Sequence, residues 1–250
     1  MTPPHSQDTI PNAVLEAALR EFTTKGFAET RVETIAAESG ISKRMVHYYG
    51  GDKLAIYRAT YDYVLDQVRP NLERLRSYSK VPVEALQHVV GVAHDSVADH
   101  PQAIRFIVQE NLHPVLPLET TRDTLGQSPI VMQIDRVLLL GRDYGAFRTD
   151  VSALDIYIMV LSLASFPTLH QRTFGTLYNV KLNSSILSGQ LREFAQDVVT
   201  GFLTSTPRRE PGASYTTVPF DDQKTTVISD NIYDGEQEIM VEGVADDALE

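Results

Sequence analysis

The chain has 250 residues, 42% of them hydrophobic, which is enough to bury a sizeable core as one large domain or two modest ones. Zero cysteines exclude disulfides and thiolate ligands, and the seven histidines are scattered rather than set at ligand spacing, so neither a structural metal nor a cofactor is expected. The net charge of −11 argues at first against a nucleic-acid partner, but Pro207 onward sets eleven acidic residues against Arg208, Arg209 and Lys224 and so carries −8 of it.

The opening MTPPHSQDTIP lacks the basic-then-apolar layout of a signal peptide, and no run of eighteen apolar residues follows; the expectation is a cytoplasmic protein with no membrane partner. Asn12 to Lys25 places Val14, Ala17, Ala18 and Phe22 at helical spacing, with Asn12 as cap and Gly26 as stop. Thr30 or Arg31 to Ser39 repeats the pattern with Val32, Ile35 and Ala36 inward, and Gly40 ends it. Ser42 caps a third helix to about Tyr49. Gly50, Gly51 and Asp52 then break the chain before a long amphipathic stretch from Lys53 to about Arg69.

Helical patterns continue over roughly Val83–Asp99, Gln102–Asn111, Ser128–Tyr144, Ala153–Phe166 and Leu187–Leu203, with proline or glycine at most joints. The prediction is an all-α fold with a helix-turn-helix head over residues 1–52 and a helical body over 53–206. An acidic, largely disordered tail over 207–250 completes it, in which a strand pair over 225–232 and 238–241 is the lesser alternative.

In a helix-turn-helix, a small residue in the first helix admits the second, a glycine four residues on makes a left-handed turn, and a buried aliphatic six further on pins the recognition helix. Ala36, Gly40 and Val46 stand at these spacings, flanked by Ile35 and Ile41. The outer face of the third helix then offers Lys43, Arg44, His47 and Tyr48, donors suited to base edges and phosphates in a major groove. Lys53, at the start of the fourth helix, suits a phosphate. Taken singly, each of these basic residues also reads as part of a solvated face.

From Val14 to Tyr57 the sequence resembles, without a gap, the N-terminal domain of the TetR (tetracycline repressor) family of bacterial regulators. The resemblance rests on Leu15 to Phe22 (Leu-x-Ala-Ala-x-x-x-Phe), Gly26, Ile35-Ala36, Gly40-Ile41-Ser42-Lys43, the run Val46 to Tyr49, and Lys53 with Tyr57. It implies that the body over 53–206 is a ligand-binding and dimerisation domain, and that the chain is a dimeric regulator that binds an operator of double-stranded DNA and answers to a small-molecule effector, release by the effector being the commoner arrangement. The family's base contacts fall on Lys43, Arg44, Met45, His47 and Tyr48, and its phosphate contacts on Thr30 or Arg31, Ser42, Tyr49 and Lys53.

Gly50 departs from the pattern, because similar members carry an aromatic or aliphatic residue there. Either a neighbour refills the gap or the head is loosely packed, and on this ground Gly50→Phe is expected to stabilise it.

In the body, Ala153–Phe166 is apolar almost all round and Leu187–Leu203 is strongly amphipathic; both are expected at a homodimer interface, as the last two helices are in the resembled family. A two-fold dimer implies an inverted-repeat operator. Candidates for the effector pocket are His94, Asp95, Arg105, Phe106, Asn111, His113, Tyr144, His170 and Phe174, with Phe106, His113 and Tyr144 preferred. Catalytic signatures are absent: there is no nucleophile elbow, P-loop, dinucleotide fingerprint or His-Glu-x-x-His, so no catalytic residue is assigned and an enzyme is not expected. The competing reading is a protein-interaction or autoinhibited regulator with a weakened head, whose acidic tail competes with DNA for Lys43, Arg44 and Lys53.

Overall fold

Apolar residues at three- and four-residue spacing determine the first helix, and in the computed structural model, which describes residues 10–76, 79–117 and 128–216, they form its buried side. Helix α1 (Asn12–Glu29) buries Val14, Leu15, Ala17, Ala18, Leu19 and Phe22. The chain leaves helical geometry at Gly26 (φ 79°) and resumes for one turn, which Thr30 closes by donating its backbone N–H and its hydroxyl to the Gly26 carbonyl. The expected stop at Gly26 is therefore a kink.

Helix α2 (Val32–Ser39) ends at Gly40 in the left-handed conformation (φ 70°), and the Ile41 N–H returns to the Ala36 carbonyl. Helix α3 (Lys43–Gly50) starts at Ser42, whose hydroxyl accepts from Met45 N. Helix α4 (Lys53–Val68) starts at Asp52, whose carboxylate accepts from Ala55 N at 2.8 Å.

The body follows as α5 (Leu72–Leu75), α6 (Pro82–Ala98), α7 (Pro101–Leu112), α8 (Pro129–Asp143), α9 (Ala153–His170), α10 (Thr173–Tyr178) and α11 (Ser185–Thr204). Among the described residues every regular element is a helix. Prolines open α6, α7 and α8, where a missing N–H costs nothing. Helix α6 is central. It buries Leu86, Val89, Val90 and Ala93 completely and is packed by α8, α9 and α11.

Helix α9 is long and apolar enough, by length and composition alone, to cross a membrane. Here Ile156, Val160 and Ala164 bury one of its faces in the body, while Leu154 and Ile158 stand exposed on another.

The apolar cluster of the head does not stop at α3. It runs through Ile56, Tyr57, Tyr61 and Val64 of α4 into Ala103 and Phe106 of α7, so the seam between head and body is itself a packed core. Gly50 lies against this cluster too. A Cβ built there would stand 2.7 Å from Ile56 Cγ1 and 3.6 Å from Ile10 Cδ1. The gap expected at Gly50 is refilled by Ile56, so the head is not hollow and Gly50→Phe adds atoms where none fit.

The segment from Pro207 to Thr216, whose composition reads as the start of a disordered tail, is held by two buried carboxylates. Asp150 pairs with Arg148 through two 2.6 Å contacts and accepts from the Arg208 and Arg209 backbone N–H groups. Asp155 accepts from Ser152 N, Tyr215 N, Thr216 N and the Ser214 hydroxyl. Residues 217–250, with the alternative strand pair, lie outside the described residues.

Candidate nucleic-acid interface

Helix α3 owes its placement to Val46, fully buried against the head core, and to the left-handed turn at Gly40. With Val46 inward, the helix turns Lys43, Arg44, Met45, His47 and Tyr48 outward, all exposed, with Tyr48 at 64%. This is the face the spacing predicts. The Tyr48 and Tyr49 rings meet edge to face at 5.2 Å, Tyr49 being half-buried beneath.

The exposed cations are not all idle. The Lys43 ammonium is paired with Glu33 of α2 at 2.5 Å, and this bond holds the Glu33 carboxyl below its usual range. His47 donates Nδ1–H to the Gly51 carbonyl at 2.9 Å, which fixes the ring and presents Nε2 to an incoming partner. Lys53 lies 4.6 Å above the Phe27 ring and donates to the Ala28 and Thr30 carbonyls at 3.0 Å each. It thus ties α4 to the end of α1 with two of its three ammonium protons.

Burial changes one of the expected roles, that of Thr30. Thr30 is 2% exposed and its hydroxyl is bonded to Gly26 O, so this side chain is an internal cap and not a phosphate contact; Arg31 beside it is exposed. Ser42 is exposed; its hydroxyl accepts from Met45 N to cap α3 and keeps its own proton to donate.

The preferred pocket residues do not converge. Phe106 is completely buried, 4.9 Å from Tyr57 and 6.4 Å from Phe22 between ring centroids, and belongs to the head–body seam. His113 is exposed at the end of α7, and Tyr144 is 66% exposed at the end of α8; neither lines a described cavity. Among the described residues, a partly open cleft of about 260 Å³ lies between α6, α9 and α11 and is lined by His94, Pro101, Ala164, Pro167, Leu182 and Leu191 among others.

Sequence reasoning missed Glu110. It is 2% exposed and accepts from the Tyr57 hydroxyl at 2.7 Å and from the backbone N–H groups of Val115 and Leu116. Burial, then the hydrogen bond to Glu110, drives the Tyr57 phenol far above its ordinary pKa. The signal was present: Ala103, Phe106 and Glu110 follow helical spacing, so a carboxyl stands on the apolar face of α7. Through it α4 of the head is fastened to α7 of the body.

Residues 14–60 match the family "Bacterial regulatory proteins, tetR family", and residues 82–199 match "Tetracyclin repressor-like, C-terminal domain". The HTH-type transcriptional repressor NicS of Pseudomonas putida is 25% identical over 186 residues, covering 74% of this chain and 88% of NicS. The HTH-type transcriptional regulator RutR of Escherichia coli is 35% identical over 113 residues; the match spans 44% of this chain and only 53% of RutR. A TetR family transcription regulator from Marinobacter aquaeolei VT8 shares the fold with a TM-score of 0.55 at 21% identity, over 74% of this chain and 93% of that one. A helix-turn-helix head with an outward recognition face, joined to a helical body of matching type, makes this chain a member of the TetR family of DNA-binding transcriptional regulators.

Proposed function

We propose that the protein is a cytoplasmic repressor, without catalytic activity, that binds an inverted-repeat operator as a homodimer and is released by a small-molecule effector. The observation that carries this is the recognition face: Lys43, Arg44, Met45, His47 and Tyr48 stand outward on a helix locked by Val46 and Gly40. These side chains reach base edges in the major groove, while Arg31, Tyr49, Lys53 and the N-terminus of α3 at Ser42 hold phosphates.

Dimerisation is supported by the uncovered apolar sides of the two late helices. Leu154, Ile158, Phe166 and Leu169 of α9 are exposed, and Phe194 of α11 is 54% exposed. A second copy covers these faces and sets the two recognition helices for half-sites about one DNA turn, or a multiple, apart. Effector control requires a body conformation that holds the heads at the wrong separation, and the Tyr57–Glu110 bond carries such a change from α7 to α4.

Electrophoretic titration of the full chain against the DNA flanking its own gene, with random duplex as control at two salt concentrations, tests the proposal. Saturable, salt-sensitive binding to an inverted repeat is the expected result. Equal affinity for both duplexes would refute it.

A further inference from the structure

Of the side chains that α3 turns outward, Lys43 and Arg44 only donate hydrogen bonds, Met45 carries a weakly accepting thioether, and the Tyr48 hydroxyl serves either way. The role of His47 is set by its neighbour. A carbonyl oxygen only accepts, so the 2.9 Å contact between His47 Nδ1 and the Gly51 carbonyl places a proton on Nδ1. In the neutral ring Nε2 is then left with a lone pair and no proton.

The bond is built into the end of the helix. The Gly51 N–H donates to the His47 carbonyl at 3.0 Å while the Gly51 carbonyl accepts from the His47 ring, so the two residues are joined in both directions. Gly51 stands at φ 70° and ψ −128°, where a side chain would be strained, and this backbone turns its carbonyl back toward the ring. His47 is exposed and follows Arg44 by three residues and Lys43 by four, so the three share one face of the helix. Duplex DNA offers an acceptor on that face little choice. Its phosphate oxygens only accept, and in the major groove the donors are the N6 amine of adenine and the N4 amine of cytosine, where guanine and thymine present carbonyl oxygens instead. A ring nitrogen without a proton gains no bond from a phosphate and is repelled by guanine O6 or thymine O4.

We propose that His47 is a specificity-determining residue whose Nε2 accepts from a base amine, adenine N6 or cytosine N4, so that one position of the bound site distinguishes amino from keto bases on the strand His47 faces. Lys43 and Arg44, which only donate, suit the phosphates and the acceptors of guanine, and His47 adds the acceptor that they lack. The proposal rests on the reading of a DNA-binding regulator. Its first test needs no DNA, so that a wrong tautomer is distinguished from a failure of DNA recognition.

The nitrogen resonances of the His47 ring, recorded on the full chain at pH 8, above the ordinary imidazole range, are expected to show the proton on Nδ1 and a bare Nε2. Binding sequences are then selected from random duplex DNA at the same pH with the wild type, His47→Ala and His47→Lys. The wild type is expected to prefer adenine or cytosine at one position, His47→Ala to lose that preference, and His47→Lys, a donor, to turn it toward guanine or thymine. Replacing the preferred base by its analogue without the amine, purine for adenine or 2-pyrimidinone for cytosine, is expected to weaken the wild type roughly five-fold and to leave His47→Ala unchanged. A ring with its proton on Nε2, a guanine or thymine preference at the position that depends on His47, no such position, or equal loss in both proteins on removal of the amine would each overturn the proposal. An absence of any enriched sequence would overturn it together with the reading of a DNA-binding regulator.

Discussion

Gly50 illustrates how a single position is decided by its neighbours. A missing side chain reads from sequence as a hole, but Ile56 occupies the place and a Cβ would already meet it at 2.7 Å. Because Ile56 is completely buried, it has nowhere to retreat. Gly50→Phe is therefore expected to destabilise the protein by about 1–3 kcal/mol, seen as a lower urea midpoint; a raised midpoint would restore the picture of an unfilled gap. The sequence offered no means to tell the two apart, since Ile56 lies on another helix whose approach is set by tertiary packing.

The Tyr57–Glu110 bond gives a second test at this scale. The Tyr57 phenol has a folded pKa above its unfolded value near 10, so the stability it contributes is fully present below about pH 10 and is lost as pH rises beyond it. Tyr57→Phe is expected to cost stability at neutral pH but to flatten the decline above about pH 10 relative to the wild type. Tyr61, Tyr63 and Tyr157 are shifted upward as well, so a residual decline persists in the variant. Parallel curves for the two proteins would mean that the buried bond does not control Tyr57. Glu110→Gln, which turns an amide donor toward three donors, is expected to lose about 1–3 kcal/mol in chemical denaturation.

At the scale of elements, the recognition helix was the most legible part of the chain. The spacing Ala36, Gly40, Val46 specifies a turn that only a left-handed glycine makes easily, and Gly40 adopts it at φ 70°. Helix bodies were legible for the same reason, because apolar periodicity reports burial directly. Less legible were contacts between elements. The pairing of Lys43 with Glu33 joins residues of two different helices, and Thr30 turns its hydroxyl inward because α1 resumes beyond Gly26.

The Glu33 pairing has a consequence for binding. On the proposed reading, Glu33 holds a cation meant for DNA and adds a negative charge on the same side of the head. Glu33→Gln is expected to tighten DNA binding by roughly two- to five-fold, the range set by an exposed ion pair; weaker binding would show instead that Glu33 orients Lys43 productively. The measurement is fluorescence anisotropy with a fixed operator.

Residues 207–216 read as tail because their composition is polar and aperiodic, which says nothing of the buried carboxylates that receive their N–H groups. The Arg148 guanidinium holds the Asp150 carboxyl well below the usual carboxylate range. Its contribution is therefore present above about pH 4 and is lost as pH falls. Asp150→Asn is expected to speed hydrogen exchange at the Arg208 and Arg209 amides at neutral pH, with wild-type protein doing so only in acid. Unchanged exchange in the variant would show that other contacts suffice to hold the segment.

For the whole molecule, the class of fold and its function as a regulator followed from the head, where family sequence and geometry agree over residues 14–60. The cleft between α6, α9 and α11 was the least legible feature. His94 stood among nine polar or aromatic candidates, but only the tertiary fold distinguishes an unpaired buried imidazole from the packed ring of Phe106 or the exposed ring of Tyr144. Apolar faces present the same difficulty, since sequence marks α9 as apolar almost all round without saying which side meets a partner. Ile158 and Phe194 stay exposed in one copy. Ile158→Asp combined with Phe194→Glu is expected to give a folded monomer by sedimentation equilibrium; a persisting dimer would place the interface elsewhere.

Whether the outward face of α3 reads a two-fold-symmetric DNA site is decided by selecting binding sequences from a pool of random duplex DNA with the full chain, alongside the Arg44→Ala variant. The wild type is predicted to enrich an inverted repeat, and the variant to relax the preference at one position of each half-site. No enriched sequence, or an identical one for both proteins, would contradict that reading of the helix.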